Sequence, residues 1–230
     1  EFVIVIAGVV IGFQINAWNE GRAEREIITR QLTEVRADLT SDLASLEITR
    51  EASLWRVAAA EHLLTAIGDE RAQTLPDAIT DMADVRSALP DVGETESSTL
   101  LARVNLVRGV TAARTGYESL INAGNLRLIE DPELRAAIQR YYAGYENFES
   151  NLSIFREIRA TALPILYRNG FSIFSDQPSG PVIAAARADP ALAAYIATSR
   201  DLGLVQVSAT HDREADALAL LELLNAALQG

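Results

Sequence analysis

Residues 28–46 read ITRQLTEVRADLTSDLASL. Large aliphatic side chains recur in this stretch every three or four positions, at Ile28, Leu32, Val35, Leu39, Leu43 and Leu46. This spacing places them on one face of an α-helix, while arginine and glutamate occupy the other faces. No proline occurs before Pro76, and Gly21 is the only glycine between residues 13 and 67. The pattern predicts one long helix from about residue 2 to about residue 67, in which Gly21 is a candidate kink.

The composition favours helices along the whole chain. Alanine, leucine, glutamate and arginine dominate, and all four are strong helix formers. Aromatic residues make up only 6%, whereas hydrophobic residues make up 49%, which is enough for a sizeable core. We therefore predict an all-α protein, in which an N-terminal transmembrane helix continues into a long-helix antiparallel bundle.

The charge balance and the lack of cysteine exclude several classes of function. The chain has 32 acidic and 20 basic residues, a net charge of −12, and all its basic residues are arginine. A chain of this charge repels phosphate backbones, so we expect no nucleic-acid partner. Without cysteine it has no disulfide, no thiolate metal site and no cysteine nucleophile.

The N-terminal run FVIVIAGVVIGF, residues 2–13, has no charged or polar side chain. As a helix it covers about 18 Å, and about 25 Å if continued to Trp18, against about 30 Å for a hydrocarbon core. We predict a transmembrane anchor at 1–18 and a soluble helical domain at 19–230. Since Glu1 stands in place of Met, we expect upstream residues to complete the span. The alternatives are a buried core helix and a signal peptide, although no basic region or cleavage site supports the latter.

Small and polar residues share one face of this anchor. Gly8, Gly12 and Asn16 are spaced by four, and a Gly-x-x-x-Gly pair allows two helices to approach closely in lipid. Gln14 and Asn16 could form hydrogen bonds across that contact, and Trp18 lies where an interfacial aromatic anchor is expected. The pattern favours a homo-oligomer or a subunit of a larger membrane complex. The alternative is that the glycines are incidental, because glycine is common in membrane helices.

Two blocks, about a fifth of the chain, carry a family resemblance. Residues 1–20 end in QINAWNE, and residues 117–142 contain YESL, AGNL, LI, ELR and YY in that order. Both resemble an uncharacterised bacterial family whose apolar N-terminal helix ends in Gln-x-Asn-x-Trp-Asn-Glu. The resemblance implies a single-pass protein with a helical extramembrane domain, and it implies no activity. Family members carry a basic stretch before the apolar helix, which is missing here.

The orientation in the membrane has two readings. Arg22, Arg25 and Arg30 closely follow the anchor, which favours a cytoplasmic domain by the positive-inside rule. The resemblance instead implies a bacterial inner-membrane protein whose soluble domain is periplasmic, because the family's basic stretch lies upstream of the helix. We adopt the periplasmic orientation on the resemblance.

Helix start and stop signals divide the rest of the chain. Asp131-Pro132 and Asp189-Pro190 are start signals, predicting helices to about residues 168 and 228, with Gly203 a candidate break in the second. Shorter helices are predicted at 76–89, 100–110 and 115–123, and loops at 91–98 and 169–181. We expect the apolar residues of 215–228 to pack into the core.

No catalytic, cofactor-binding or metal-ligating set is found in the sequence. His62 and His211 lack partners at a ligand spacing, and there is no Gly-rich phosphate loop or Gly-x-Ser-x-Gly elbow. The carboxylates at 130–133 are better explained by helix-start electrostatics. We therefore predict a protein that is not an enzyme and that has no cofactor.

Two groups of aromatic residues have open roles. The stripe Tyr141, Tyr142, Tyr145, Phe148 and Phe155 could line a ligand pocket, but core packing is the favoured interpretation. Phe171 and Phe174 lie in a predicted loop, where they would either contact a partner or the membrane, or fold back into the core.

Two functional hypotheses follow. The first is a non-enzymatic membrane-anchored helical protein, a scaffold or accessory subunit of a membrane complex, which associates through its Gly-x-x-x-Gly helix. The alternative is a periplasmic ligand-sensing helical bundle that is coupled to the membrane helix.

Overall fold

The computed structural model describes residues 2–93, 99–174 and 176–229, apart from the side chains of residues 2–10, 13, 78, 80–84, 147, 151 and 152. Over these ranges the chain is helical and contains no strand, as predicted. The α-helices are α1 (Phe2–Ile67), α2 (Leu100–Asn105), α3 (Thr115–Asn122), α4 (Pro132–Arg168), α5 (Ser179–Ala188) and α6 (Pro190–Gln229). Within the described residues, three 3₁₀ segments lie at Glu70–Ala72, Asp77–Ala88 and Asn125–Leu128. The prediction of an all-α protein with long helices is confirmed.

The chain divides into two compact units, and α1, α4 and α6 each contribute to both. Unit 1 comprises Glu1–Asp42, Ala112–Tyr142 and Ala217–Gly230. Unit 2 comprises Leu43–Thr111 and Ala143–Asp216. The predicted division at residue 18 concerns insertion into a membrane, so it remains a prediction.

The long helix α1 confirms the period of three and four that the opening stretch displays. It ends where the sequence supplies Gly68, whose φ of +85° suits a residue without a Cβ. The Gly68 and Asp69 amides donate to the Leu64 carbonyl oxygen, at 3.1 and 3.0 Å, and thereby satisfy the last turn. No helix among the described residues combines the length and the apolar character needed to cross a membrane. Most side chains of the apolar run 2–13 lie outside the described residues, so the anchor stays a prediction.

Unit 1 buries one face of α1 together with residues of α3, α4 and α6. Its buried apolar side chains include Leu32, Val35, Leu39, Leu120, Leu134, Ile138, Ala217, Leu220 and Leu224. The stretch 215–228 contributes only three of these, and Leu218 is 54% exposed. The expectation that this stretch packs into the core therefore holds for one narrow stripe of α6, formed by Ala217, Leu220 and Leu224.

Unit 2 has a larger apolar core, formed by α1, α2, α5, α6 and the end of α4. Its centre includes Leu63, Leu64, Leu101, Leu166, Leu192 and Ile196. The helix α6 does not break at Gly203, contrary to the candidate break. A Cβ at that position would lie 2.7 Å from Val57 Cγ2, so the glycine allows close packing of α6 against α1 within this unit.

Two helix starts are confirmed and one helix end was predicted too late. Asp131 accepts a hydrogen bond from the Glu133 amide at 2.8 Å, and Asp189 accepts one from the Ala191 amide at 3.1 Å. The helix α2 ends at Asn105 instead of continuing to residue 110. The carbonyl oxygens beyond it accept hydrogen bonds from distant side chains instead of from the next helical turn, as the site geometry shows.

Candidate functional site

The first candidate is a stretch of α1 that no other described part of the chain covers. Among the described side chains of residues 11–27, which we call the uncovered segment, none is buried. Ile11, Ile15 and Trp18 are 54%, 55% and 60% exposed. Helices in globular proteins are stabilised mainly by packing of an apolar face. The exposed apolar side chains of this segment are therefore suited to packing against a molecule outside the chain.

The residues predicted to mediate association lie on this segment where they are described. Gly12 and Gln14 are exposed, and no heavy atom lies within 4 Å of the position of a Cβ at Gly12. The Asn16 amide donates to Glu20 Oε1 at 2.8 Å within the same helix. Gly8 lies outside the described residues.

A basic groove follows the uncovered apolar residues. It is an open surface groove lined by Trp18, Arg22, Arg25, Glu26, Thr29 and Arg30. Arg22 pairs with Glu26 at 3.1 Å, and Arg25 donates to the Gly21 carbonyl oxygen at 3.1 Å, so both arginines are held against the helix. An aromatic residue followed by cations is the arrangement found where a helix leaves a membrane.

The second candidate is a row of polar side chains buried in unit 1. Asp38 Oδ2 accepts a hydrogen bond from the Gly116 amide at 2.7 Å. Asp42 Oδ1 accepts one from the Ala113 amide at 2.7 Å, and its Oδ2 accepts one from the Tyr141 hydroxyl at 2.8 Å. These carboxylates hold the backbone that leads into α3 against α1.

A buried amide extends this row by two turns. Gln31 Nε2 donates to both the carbonyl oxygen and the Oγ of Ser119, each at 3.1 Å. Gln31 Oε1 accepts a hydrogen bond from Asn125 Nδ2 at 3.0 Å. The row of Gln31, Asp38 and Asp42, which we call the polar row, therefore serves to attach residues 113–125 to α1.

Burial shifts the pKa of the two carboxyls of the polar row, Asp38 and Asp42. It raises the pKa of Asp38 and of Asp42, while hydrogen bonds from the backbone partly oppose the shift. Burial likewise raises the pKa of Tyr142, which stacks on Tyr117 with 4.1 Å between ring centroids. Within the described ranges no group of three histidine, aspartate or glutamate side chains could hold a metal ion. The geometry of the polar row therefore fits a structural role, in which it attaches residues 113–125 to α1.

The sequence reasoning missed this row, although a signal was present. Asp38 and Asp42 are four positions apart and directly adjoin the apolar stripe at Leu39. Charged residues on the border of an apolar stripe are usually solvated, so spacing alone does not distinguish a buried carboxylate from a surface one.

The third candidate lies in unit 2, which buries two arginines almost completely. Arg200 is 1% exposed and pairs with Asp201 at 2.7 Å. Arg56 is 2% exposed, and its Nε and Nη2 donate to the Leu106 carbonyl oxygen at 2.9 and 2.6 Å. This contact, and that of Gln206 Nε2 with the Arg108 carbonyl oxygen at 2.6 Å, explain why α2 does not continue past Asn105.

Arg56 lines a small cleft, which we call the arginine cleft. Its polar side chains are those of Arg56, Arg159, Tyr195 and Ser199, and its remaining wall is aliphatic or aromatic. Its free space admits about one water-sized occupant. The sequence offered no signal for it, because the two arginines are separated by about a hundred positions.

The aromatic stripe packs in the cores, as favoured. Its members are all buried: Tyr141, Tyr142, Tyr145, Phe148 and Phe155. Phe171 is also buried, at 6% exposure, so it folds back into the core of unit 2 and is not available to a partner. Phe174 is 64% exposed and keeps the predicted possibility of a contact. His62 and His211 are both exposed.

No family model, curated protein or solved structure matches the chain. The family resemblance therefore stays a prediction that depends on the two quoted sequence blocks. Function is argued from the residues alone.

Proposed function

We propose that the protein is a non-enzymatic, membrane-anchored helical protein that acts as a scaffold or accessory subunit of a membrane complex. The observation that carries the proposal is the uncovered segment of α1. Ile11, Ile15 and Trp18 expose more than half of their surface there, and no described residue of the chain packs over them.

Lipid is the occupant that fits this surface best. Residues 2–19 contain no charged side chain, and the exposed isoleucines continue the apolar run that precedes them. Trp18 and the basic groove then follow at the end of that run. An apolar helix that passes into an aromatic residue and cations has the order expected from hydrocarbon core to headgroups.

Vesicle flotation tests the anchor. The full chain is mixed with vesicles of phosphatidylethanolamine and phosphatidylglycerol and separated on a density gradient. The unaltered protein should float with the vesicles, whereas the double variant Ile11→Asn, Ile15→Asn should stay at the bottom, because two amides would enter the hydrocarbon. Ile48→Asn is the matched control, since Ile48 is 51% exposed on the same helix outside the uncovered segment. If the double variant floats as well as the control, this segment does not hold the protein to lipid.

Association through the glycine face has its own test. Neither Gly12 nor Gly21 has a heavy atom within 4 Å of a Cβ position, so a side chain can extend from the helix at both without a clash at its first atom. In mild detergent, native mass spectrometry should detect a homo-oligomer or a defined complex for the unaltered protein and for Gly21→Leu. Gly12→Leu should dissociate it, because the side chain prevents close approach of two helices. A strict monomer without co-purifying subunits would contradict the proposal.

One observation favours the alternative, a ligand-sensing bundle coupled to the membrane helix. The single helix α1 carries both the uncovered segment and Arg56 of the arginine cleft. The cleft admits only a water-sized occupant, so a sensed ligand at that place would be an ion and not an organic molecule.

A further inference from the structure

Arg56 is a buried cation that lacks a counter-charge within the described residues. The residue is 2% exposed, and the hydrogen-bond partner of its guanidinium is a neutral carbonyl oxygen. Arg200 is buried equally deeply in the same unit but has the Asp201 carboxylate. An unpaired buried charge strongly destabilises a fold, which sets Arg56 apart.

A second cation lies on the same cleft. Arg159 is half-buried, and no hydrogen bond or ion pair is found for it among the described residues. Burial, and then repulsion by Arg159, lowers the pKa of Arg56 to about 10, so its guanidinium remains charged at neutral pH. The cleft therefore concentrates two positive charges.

The other polar groups of the cleft supply no negative charge. Burial raises the pKa of Tyr195, so its phenol is neutral at pH 7, and its hydroxyl donates to Asn105 Oδ1. Ser199 is buried, and its hydroxyl is neutral and interacts with that of Tyr195. None of the described residues that line the cleft is an aspartate or glutamate.

We infer that unit 2 binds a compact monovalent anion of the halide class between Arg56 and Arg159. The positive charges of Arg56 and Arg159 exclude a cation as the ligand of this cleft, and guanidinium groups form their strongest hydrogen bonds with anions. The free space admits about one water-sized occupant, which suits a halide. Phosphate or an organic acid is larger than this space and would have to displace side chains of the cleft wall. The inference is independent of membrane attachment.

Anion-dependent stability tests the site in solution. Thermal unfolding of the full chain in detergent is followed by circular dichroism while sodium bromide replaces sodium gluconate at constant ionic strength. A ligand that binds only the folded state raises the Tm in a saturable manner. We expect this saturable rise for the unaltered protein and its loss in Arg159→Gln.

The matched control is Arg156→Gln, which removes the same charge from an exposed position one turn away on α4. It should retain the saturable rise in Tm. An equal rise in both variants, or none in the unaltered protein, would overturn the inference.

Crystals of the unaltered protein soaked in bromide provide a second readout that does not depend on any variant. The anomalous signal should peak between the Arg56 and Arg159 guanidiniums. Bromide found only elsewhere would refute the site. Bromide at the site without a saturable effect in solution would mean binding at crystal concentration only, which also refutes it.

Discussion

Replacing Gly116 with alanine should destabilise unit 1, because a Cβ at this position overlaps the backbone of α1. A Cβ at this position would lie 2.3 Å from the Val35 amide nitrogen, 2.6 Å from the Glu34 carbonyl carbon and 2.8 Å from the Val35 Cα. All three atoms belong to the backbone of α1, so no rotation of a side chain relieves the overlap. The start of α3 must therefore move away from α1.

The size of the effect follows from this movement. Ordinary contact begins at 3.4 Å, so α3 must retreat by about 1 Å from the present 2.3 Å. The 2.7 Å hydrogen bond from the Gly116 amide to Asp38 would then lengthen to about 3.7 Å, which exceeds hydrogen-bond range. Loss of a buried hydrogen bond to a charged group costs about 1.5–3 kcal/mol, and overpacking costs about 1–3 kcal/mol. We expect the free energy of unfolding to fall by about 2.5–6 kcal/mol, a large part of the usual 5–15 kcal/mol.

Urea unfolding followed by circular dichroism measures the loss, with Gly21→Ala as the control. Gly21 also lies in a helix of unit 1 but has open space around it, so alanine there should be neutral or should stabilise by up to about 1 kcal/mol. Hydrogen exchange should show that residues 113–125 lose protection in Gly116→Ala. A variant within about 0.5 kcal/mol of the unaltered protein, with these amides still protected, would refute the close approach of α3 to α1.

Three further outcomes follow from the same packing. Because burial raises the pKa values of Asp38 and Asp42 above the ordinary 3.8, the folded state holds protons that the unfolded chain releases, so stability falls as pH rises from 3.8 through the raised values. Urea titrations between pH 4 and 7 should show this fall, and Asp42→Asn should flatten it; an unchanged slope would contradict the assignment. Tyr141→Phe removes the donor to Asp42 and should cost about 1–3 kcal/mol at pH 7 in the same assay, and a cost below 0.5 kcal/mol would speak against that bond. Gly203→Ala places a Cβ 2.7 Å from Val57 Cγ2 and should cost about 1–3 kcal/mol by urea unfolding, unless Val57 can rotate freely.

The elements of the fold could be predicted from sequence because their signals are local. The spacing of aliphatic residues in α1 and the Asp131-Pro132 and Asp189-Pro190 starts each depend on a few neighbouring residues. Gly124 is a local signal of the same kind. It comes directly after the last turn of α3, and its φ of +67° is a conformation that favours glycine. The residues predicted to mediate association, Gly12 and Asn16 among them, could likewise be identified by their spacing of four on one helix.

Which polar side chains are buried was decided by the tertiary structure. Asp38 and Asp42 receive their hydrogen bonds from residues 71, 78 and 99 positions away, and no local pattern specifies such partners. The premature end of α2 has the same origin, because the carbonyl oxygens of Leu106 and Arg108, just beyond it, accept hydrogen bonds from Arg56 and Gln206 on other helices.

The sequence by itself determined which segments are helical and which faces of them are apolar, since both depend on intervals of three and four residues. Only the tertiary structure decided which charges are buried, because burial depends on what packs opposite a residue. Arg56 and Arg159 illustrate the difference: each is an ordinary helical arginine in sequence, and only their meeting on one cleft creates a site with two positive charges.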